Sequence, residues 1–548
     1  MSYKEKYLKY KNKYLNLKNQ MGGACNPTPN TNDLEPFTNK KYSEFKENKL
    51  ITINNKCYDI NNLYKWVIIN NNDKYPDNNI ISDDDRNKIK DQYNSLYIRN
   101  KQFFNSKLTT VQIPDTVVEI GNYAYSINKI KVLIIPKSVI TIGDFAFENN
   151  QLNSLTIGDS VITIGNSAFA NNDLTDLKIP NSVITIGDFA FQNNYLKTLT
   201  IGDSVTSIGK GAFEYSNELL SLKKNTRISE TDKSEIKNLI IPNSVTSIGD
   251  NAFKNIILQN LTIGDSVINI GVNAFADNKL QILKIPNSVI TIGDFAFYNN
   301  QLNSLTIGNK VNMIGKCAFR NNRLDNLTIP ESVTTIGEYA FSDNQLSRIT
   351  IGKSLKIINK ELFSKNKLQN LIIPDSVDII GENAFAQNEL QNLIIPNSVK
   401  KIDDYAFAKN KLISLQIGNS VTSIGKSAFS GDDGYLNFNK AEKGNLIEKL
   451  EIPNSVITIY DKAFEYNVID SLKISESVNT IGKGAFRGNR IENLVIPNSV
   501  ITISDLAFSE NPLKKVSIPK NFKNNINSIF GEGTIKLFGK SNIKFTYT

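Results

Sequence analysis

The sequence predicts a mainly β solenoid of about 17 coils, preceded by a small α+β domain. Three observations carry that expectation. A 22-residue unit recurs from Pro114 to Pro519, and its copies IPKSVITIGDFAFENNQLNSLT from Ile135 and IPNSVITIGDFAFYNNQLNSLT from Ile285 differ at only two positions. Within each copy the apolar residues fall at fixed places while their neighbours are small or polar. A constant period of this length means one supersecondary coil per repeat, which cannot bury its apolar face alone and must stack on its neighbours.

In the copy from Leu152, the alternation of Leu155 and Ile157 reads as a short strand, and Val161 to Ile164 as a second extended piece. Gly165 turns the chain, and Ala168-Phe169 fills the core. Asn172 then sets a side-chain amide among the backbone groups of the turn, stacked on the Asn of neighbouring coils. Leaving such groups unsatisfied in a packed coil would cost about 1–3 kcal/mol each. The period breaks twice. The step from Gly202 to Pro242 carries 18 extra residues, and the step from Gly418 to Pro453 carries 13. Both insertions follow an Ala-Phe pair, Ala212-Phe213 and Ala428-Phe429, so both are expected at the same edge of the coil, and in repeat proteins such an edge often binds. From Pro136 to Gly352 the residue after the strand isoleucine alternates strictly between Pro and Gly, which reads as duplication of a two-coil block.

The pattern Leu-x-x-Leu-x-Ile-Pro-x-Ser-Val-x-x-Ile-Gly-x-x-Ala-Phe-x-x-Asn resembles the leucine-rich repeats of the BspA-like type, known from bacterial and protist surface proteins and from giant DNA viruses. Residues 96–519 carry it. That family's unit is usually one residue longer, often with Cys where this chain has Asn. The departure shortens a turn and leaves the fold expectation intact. The resemblance implies a non-catalytic scaffold that presents a repeated surface to a protein or a glycan.

The ligand is then expected on the outward strand positions. One column runs Thr156, Lys178, Thr200, Ile240, Thr262, Lys284, Thr306, Thr328, Thr350, Ile372, Ile394, Gln416, and its neighbour includes Ser154, Asp176, Ile282 and Arg348. Neither column has an aromatic, although Tyr, Trp and Arg usually anchor hot spots. Ile372 beside Ile394 is the one adjacent apolar pair, so Ile372, Ile394, Arg348 and Lys284 are the candidate partner contacts, against the plainer reading that Ile is simply a good strand former.

Composition narrows the chemistry. With 548 residues the chain exceeds one compact core, a limit solenoids escape by growing in one dimension. Histidine is absent, which removes Ser-His-Asp and Cys-His catalysis and every His-ligated metal site. Cys25, Cys57 and Cys317 are isolated thiols that fit neither a disulfide framework nor a four-cysteine zinc site, so no metal or cofactor is expected. The net charge of +9 is carried by scattered Lys, five units of it within residues 1–24, which argues against a nucleic-acid partner. No segment approaches the roughly 20 apolar residues of a membrane span, and no hydrophobic signal region opens the chain. The expected location is a host cytoplasm or a virion, reached without a signal peptide. Gly418 to Ser427 mimics a phosphate-binding loop with two residues too many between its glycines, and the same frame recurs through the repeats.

Outside the repeats, residues 1–24 place Tyr3, Tyr7, Tyr10, Tyr14 and Leu17 along one stripe of a Lys-rich helix that Gly22-Gly23 ends. This segment resembles the KYLKYKxKYLxLK leader of many giant-virus proteins, and the Asn, Ile and Lys bias fits an AT-rich genome of that mimivirus-like kind. After a linker at 25–33, residues 34–95 are similar to a degenerate U-box: a loop with Phe37, a short hairpin, a helix with Tyr58, Leu63 and Trp66 on or under it, then a loop with Pro76. The resemblance implies that Phe37, Trp66 and Pro76 touch a ubiquitin-conjugating enzyme. The plainer reading makes Tyr58 and Trp66 ordinary core. Residues 520–548 are expected to add strands that cap the last coil. The alternatives to a plain recognition scaffold are therefore a ubiquitin-ligase component and a virion surface protein or adhesin.

Overall fold

The computed structural model describes residues 50–53, 56–60, 63, 81–216, 234–431, 444–532 and 543–548. The leader and linker, Phe37, Trp66, Pro76, both insertions and the IKLFG segment lie outside the described residues. The chain divides into two compact units, Met1–Asp232 and Lys233–Thr548. Each is a β-solenoid with the 22-residue period. The coils number about 18, one more than the Pro/Gly spacing counts, because Tyr97–Ile98 already pairs as a strand ahead of Pro114.

In the first unit, Leu50–Ile53 and Lys56–Asp59 form an antiparallel hairpin. A helix at Asp83–Leu96 follows, capped by Ser82, whose hydroxyl accepts from the Asp85 amide at 3.0 Å, with Asp83, Asp84 and Asp85 in the first turn where the helix dipole favours acids. Tyr97–Ile98 then opens a wall of two-residue parallel strands that continues through Glu119–Ile120, Thr141–Ile142, Thr163–Ile164, Thr185–Ile186 and Ser207–Ile208. In the second unit the same short-strand wall runs from Ser247–Ile248 to Thr335–Ile336, and again from Ile357–Ile358 to Thr502–Ile503. At the end of the chain Lys544–Tyr547 adds a parallel strand beside Lys515–Ile518, next to a short helix at Ile526–Phe530.

The interior of each unit follows the repeat. Phe147, Phe169, Phe191 and Phe213 are buried and stack with ring centres 5.3–5.5 Å apart in the first unit, as do Phe253, Phe275, Phe297, Phe319 and Phe341 in the second, at 5.3–5.4 Å. Offset stacking of this kind adds about 0.5–1.5 kcal/mol per pair beyond burial. The Asn column does what the sequence requires of it. Asn172 Nδ2 donates to Phe147 O of the preceding coil at 3.0 Å and to its own Phe169 O at 3.1 Å, while its Oδ1 accepts from the Leu152 amide at 3.0 Å. One buried amide thus ties two coils. The pattern repeats in the second unit at Asn300, with Phe275, Phe297 and Leu280 as its partners.

The Pro/Gly alternation has a physical consequence beyond duplication. Up to Thr350 the three-residue strands on the other wall pair two by two: Val132–Ile134 with Ser154–Thr156 and Asp176–Lys178 with Thr198–Thr200 in the first unit, then Asn238–Ile240 with Asn260–Thr262, Ile282–Lys284 with Ser304–Thr306, and Asn326–Thr328 with Arg348–Thr350 in the second. Each pair joins a Pro coil to the Gly coil after it. Ile285 donates to Thr306 O at 2.9 Å and Ile329 to Thr350 O at 2.9 Å. The Gly coil can sit this close because it has no side chain at the contact: a Cβ on Gly352 would stand 2.5 Å from Pro330 O. Beyond the Gly coil, the next strand ends on a Pro that lacks the amide proton a continued parallel ladder would use, and where the ladder does continue, from Ser414–Gln416 to Lys449–Glu451, it pairs only Ser414 with Lys449.

Candidate functional site

Strand alternation fixes what the long-strand wall shows. In each three-residue strand the central Leu or Ile faces inward and its two neighbours are exposed, as at Asn392-Leu393-Ile394. Ile372 is 83% exposed and Ile394 64%, from adjacent coils of the second unit, and the exposed Arg348 belongs to the coil before them. These three predicted contacts fall on consecutive coils. Lys284 lies three coils earlier on the same wall, about 14 Å from Arg348 at the usual strand spacing, so it is not part of the same patch. Ile282 is exposed beside Lys284, and in the first unit Val132 and Ile134 form an exposed aliphatic pair within one strand. The sequence columns began at Ser154 and Thr156, one coil too late to include that pair.

The patch around Ile372 coincides with a fault in the stack. The coil from Gly352 carries Leu355 where other coils have Val, Asn359 where every coil from Gly121 to Gly337 has the corner Gly, and Leu362 where other coils have Ala. Both leucines are fully buried or nearly so. Their extra volume pushes the coils apart: the Phe341 and Phe363 rings stand 5.9 Å apart, and Phe341 N to Leu362 O is 3.1 Å where Phe297 N to Ala318 O is 2.8 Å. The short-strand wall stops between Ile336 and Ile358, and the Asn359 side-chain amide donates to Ile336 O at 2.6 Å across the gap. The next coil forms no long strand at Asn370 to Ile373. Its Pro374 is followed by Pro396 instead of a Gly, so the close partner coil is missing.

A second feature follows two coils on. A cleft of about 490 Å³ is lined by Glu382, Lys401, Asp403, Asp404, Ser423, Lys426, Tyr460 and Asp461, with Ile402 and Gly425 between them. Asp403 and Tyr460 occupy corner positions that are Gly in every coil from Gly121 to Gly337. Those glycines are tight: a Cβ on Gly315 would stand 2.5 Å from Asp294 N. Lys401 Nζ meets Asp403 Oδ1 at 2.7 Å, and this bond holds the ammonium pKa above its ordinary value. Glu382 is held by Lys360 at 2.9 Å. Asp404 Oδ1 accepts from the Lys426 amide at 2.7 Å, and Asp461 Oδ1 from the Lys483 amide at 2.7 Å. The loss of the corner Gly at 403 and 460 was visible in the sequence and was the signal for this cleft. Gly418 and Gly425, which mimicked a phosphate loop, pack instead against the backbones of Pro396 and Asp403. Cys317 is buried in a left-handed turn, and burial pushes its thiol pKa up. Among the described residues no group of three or more potential metal ligands occurs, and no helix is long and apolar enough to cross a membrane.

Comparison with known proteins gives the fold a family. No curated protein matches the chain. Among solved structures, a leucine-rich repeat protein from Bacteroides ovatus is 18% identical, with 91% of this chain and 90% of that one covered and a TM-score of 0.38. A leucine-rich cell surface protein from Faecalibacterium prausnitzii is 23% identical over 54% of this chain and 82% of that one, with a TM-score of 0.32. The pneumococcal vaccine antigen PcpA is 20% identical over 69% and 89%, with a TM-score of 0.34. The family description "BspA type Leucine rich repeat region (6 copies)" matches residues 96–220, 231–346, 312–435 and 439–543. These segments span most of the sequence, and the chain belongs to the BspA-type leucine-rich repeat family.

Proposed function

We propose that the chain is a non-catalytic recognition scaffold of a giant DNA virus that binds a protein partner, from the host or the virus, through the long-strand wall around Arg348, Ile372 and Ile394. The observation that carries this reading is the exposure of Ile372 and Ile394 on successive coils at the place where the stack departs from its repeat. Interior positions are spoken for by packing, so selection for binding has only the outward positions to act on. A large aliphatic exposed at 83% adds nothing to the core, and a partner that buries it gains about 25 cal/mol per Å² of apolar surface removed from water. The viral source is supported by the resemblance of the Lys/Tyr-rich leader and by the Asn, Ile and Lys bias.

Affinity capture from infected-cell lysate with the full chain, compared with an Ile372→Asp/Ile394→Asp variant, tests the reading. The expected result is a specific partner lost in the variant. Equal capture by both would overturn the assignment of the surface. Mass spectrometry of purified particles separates a virion surface protein or adhesin, which would be abundant there, from a protein of the host cytoplasm.

A second reading, a ubiquitin-ligase component, draws support from the hairpin of Leu50–Ile53 and Lys56–Asp59, which falls inside the U-box-like segment. In vitro ubiquitination with a panel of conjugating enzymes tests it. Chain formation abolished by Trp66→Ala or Pro76→Ala would support a ligase, and no chains with any enzyme would discard it.

A further inference from the structure

We propose that the cleft between Glu382 and Asp461 is a second binding site, separate from the long-strand wall, and that its ligand is a neutral polyhydroxylated molecule, the terminal sugar of a glycan. Its volume of about 490 Å³ lies within the range of small-ligand sites, roughly 300–1,000 Å³. Tyr460 is half exposed on its rim at a corner where the regular coils have no side chain at all. Packing does not ask for a ring there. A Gly would serve the turn, and the neighbouring Gly425 and Gly482 do so while the backbone bonds of the wall stay at 2.8 Å.

The polar groups narrow the ligand. Asp404 and Asp461 are held in place by the Lys426 and Lys483 amides through one oxygen each, which leaves the other oxygen as an acceptor of fixed direction. The Ser423 hydroxyl and the Lys426 ammonium supply donors beside them. The remaining charges are already compensated, Lys401 by Asp403 and Glu382 by Lys360. Asp404 and Asp461 outnumber the Lys426 ammonium by one charge, which disfavours an anion, and an apolar ligand would find only Tyr460 and Ile402. Carboxylate acceptors and the Ser423 and Lys426 donors in one lining with an exposed aromatic ring match the vicinal hydroxyls and the C–H face of a sugar ring. Because backbone bonds already fix the two aspartates, little ordering is required when the ligand binds.

The test is binding of the full chain to an array of neutral hexose and N-acetylhexosamine oligosaccharides, with sialylated oligosaccharides and Arg-rich and Glu-rich peptides as further arms. At least one neutral glycan is expected to bind. Tyr460→Gly restores the residue of the regular repeat, so it should fold with an unchanged melting temperature and lose about tenfold in affinity, while Tyr460→Phe keeps the ring and most of the binding. Asp461→Asn keeps the acceptor for the Lys483 amide and should weaken binding several-fold. Binding of charged probes only, no binding of any neutral glycan, or equal affinity of native chain and Tyr460→Gly would each overturn the proposal. Its failure is distinguishable from failure of the protein-recognition reading, because capture through Ile372 and Ile394 does not involve Tyr460.

Discussion

The coils from Gly264 to Leu346 and those from Gly352 to Asp461 belong to the same unit and the same repeat, yet they use it differently. The first group keeps every interior position: Val, the corner Gly, Ala-Phe and Asn recur without exception, and the rings stack at 5.3–5.4 Å. The second changes five of these places, at Leu355, Asn359, Leu362, Asp403 and Tyr460, and breaks the Pro/Gly alternation at Pro396. There the Phe stack opens to 5.9 Å, the short-strand wall is interrupted, one long strand is lost, and the adjacent pair Ile372 and Ile394 and the cleft appear. The difference teaches that regular coils expose single aliphatics such as Ile282 but keep one spacing throughout. Distinct surface arises where an oversized residue spreads neighbouring coils or replaces a corner Gly.

Four substitutions break or sharpen this contrast. The largest effect belongs to the regular stack, where Phe297→Ala should cost about 3–5 kcal/mol in a denaturant titration, because close-packed rings above and below cannot collapse into the space. Asn300→Ala strips the Leu280 amide and the Phe275 and Phe297 carbonyls of their partner, and a loss of about 2–4 kcal/mol is expected. In the open coil the same kind of truncation should be mild. Leu362→Ala restores the repeat residue, so its cost should stay under about 2 kcal/mol, below the usual range for a buried leucine, with the Phe341 to Phe363 spacing closing toward that of the regular coils. Smallest is Ile372→Ser, which should change stability by no more than about 0.5 kcal/mol, since the side chain is exposed.

The interior of the first unit offers a pH test of the same packing. Tyr125 takes the place of a Phe in the column, between Phe103 and Phe147, and burial pushes its pKa up to about 12. The folded state therefore holds the phenolic proton more tightly than the unfolded chain, whose tyrosine has its ordinary pKa of about 10. This contribution is fully present below pH 10 and is lost as the pH rises through 12. Unfolding curves of Tyr125→Phe should lack that alkaline decline.

Much of this was legible in the amino-acid order. The coil, its two strands, the buried Ala-Phe pair and the Asn column follow from spacing alone, because a 22-residue period leaves each interior residue one place to go. Ile372, Ile394 and Arg348 were legible as outward positions for the same reason. What spacing did not show was the pairing of coils two by two, which depends on how closely a Gly approaches the carbonyl of the preceding Pro. Nor did it show the fault at Leu355 and Leu362, since a swap of Val or Ala for Leu preserves the hydrophobic pattern and differs only in volume. The cleft was missed because Asp403 and Tyr460 look like ordinary surface residues until the Cβ contact at a corner Gly is measured.

Residue-resolved amide hydrogen exchange on the full chain reads the register of the stack most directly. The amides of Gly315, Gly337 and Gly381 donate across the short-strand wall at 2.8 Å, and those of Ile285 and Ile329 across the long-strand wall at 2.9 Å, so all five should exchange slowly. Asn359, at the interrupted wall, and Ile373, in the coil without a long strand, should exchange at least about tenfold faster. Equal protection of Asn359 and Ile373 with the other five would contradict the fault, and with it the link between broken repeat and functional surface.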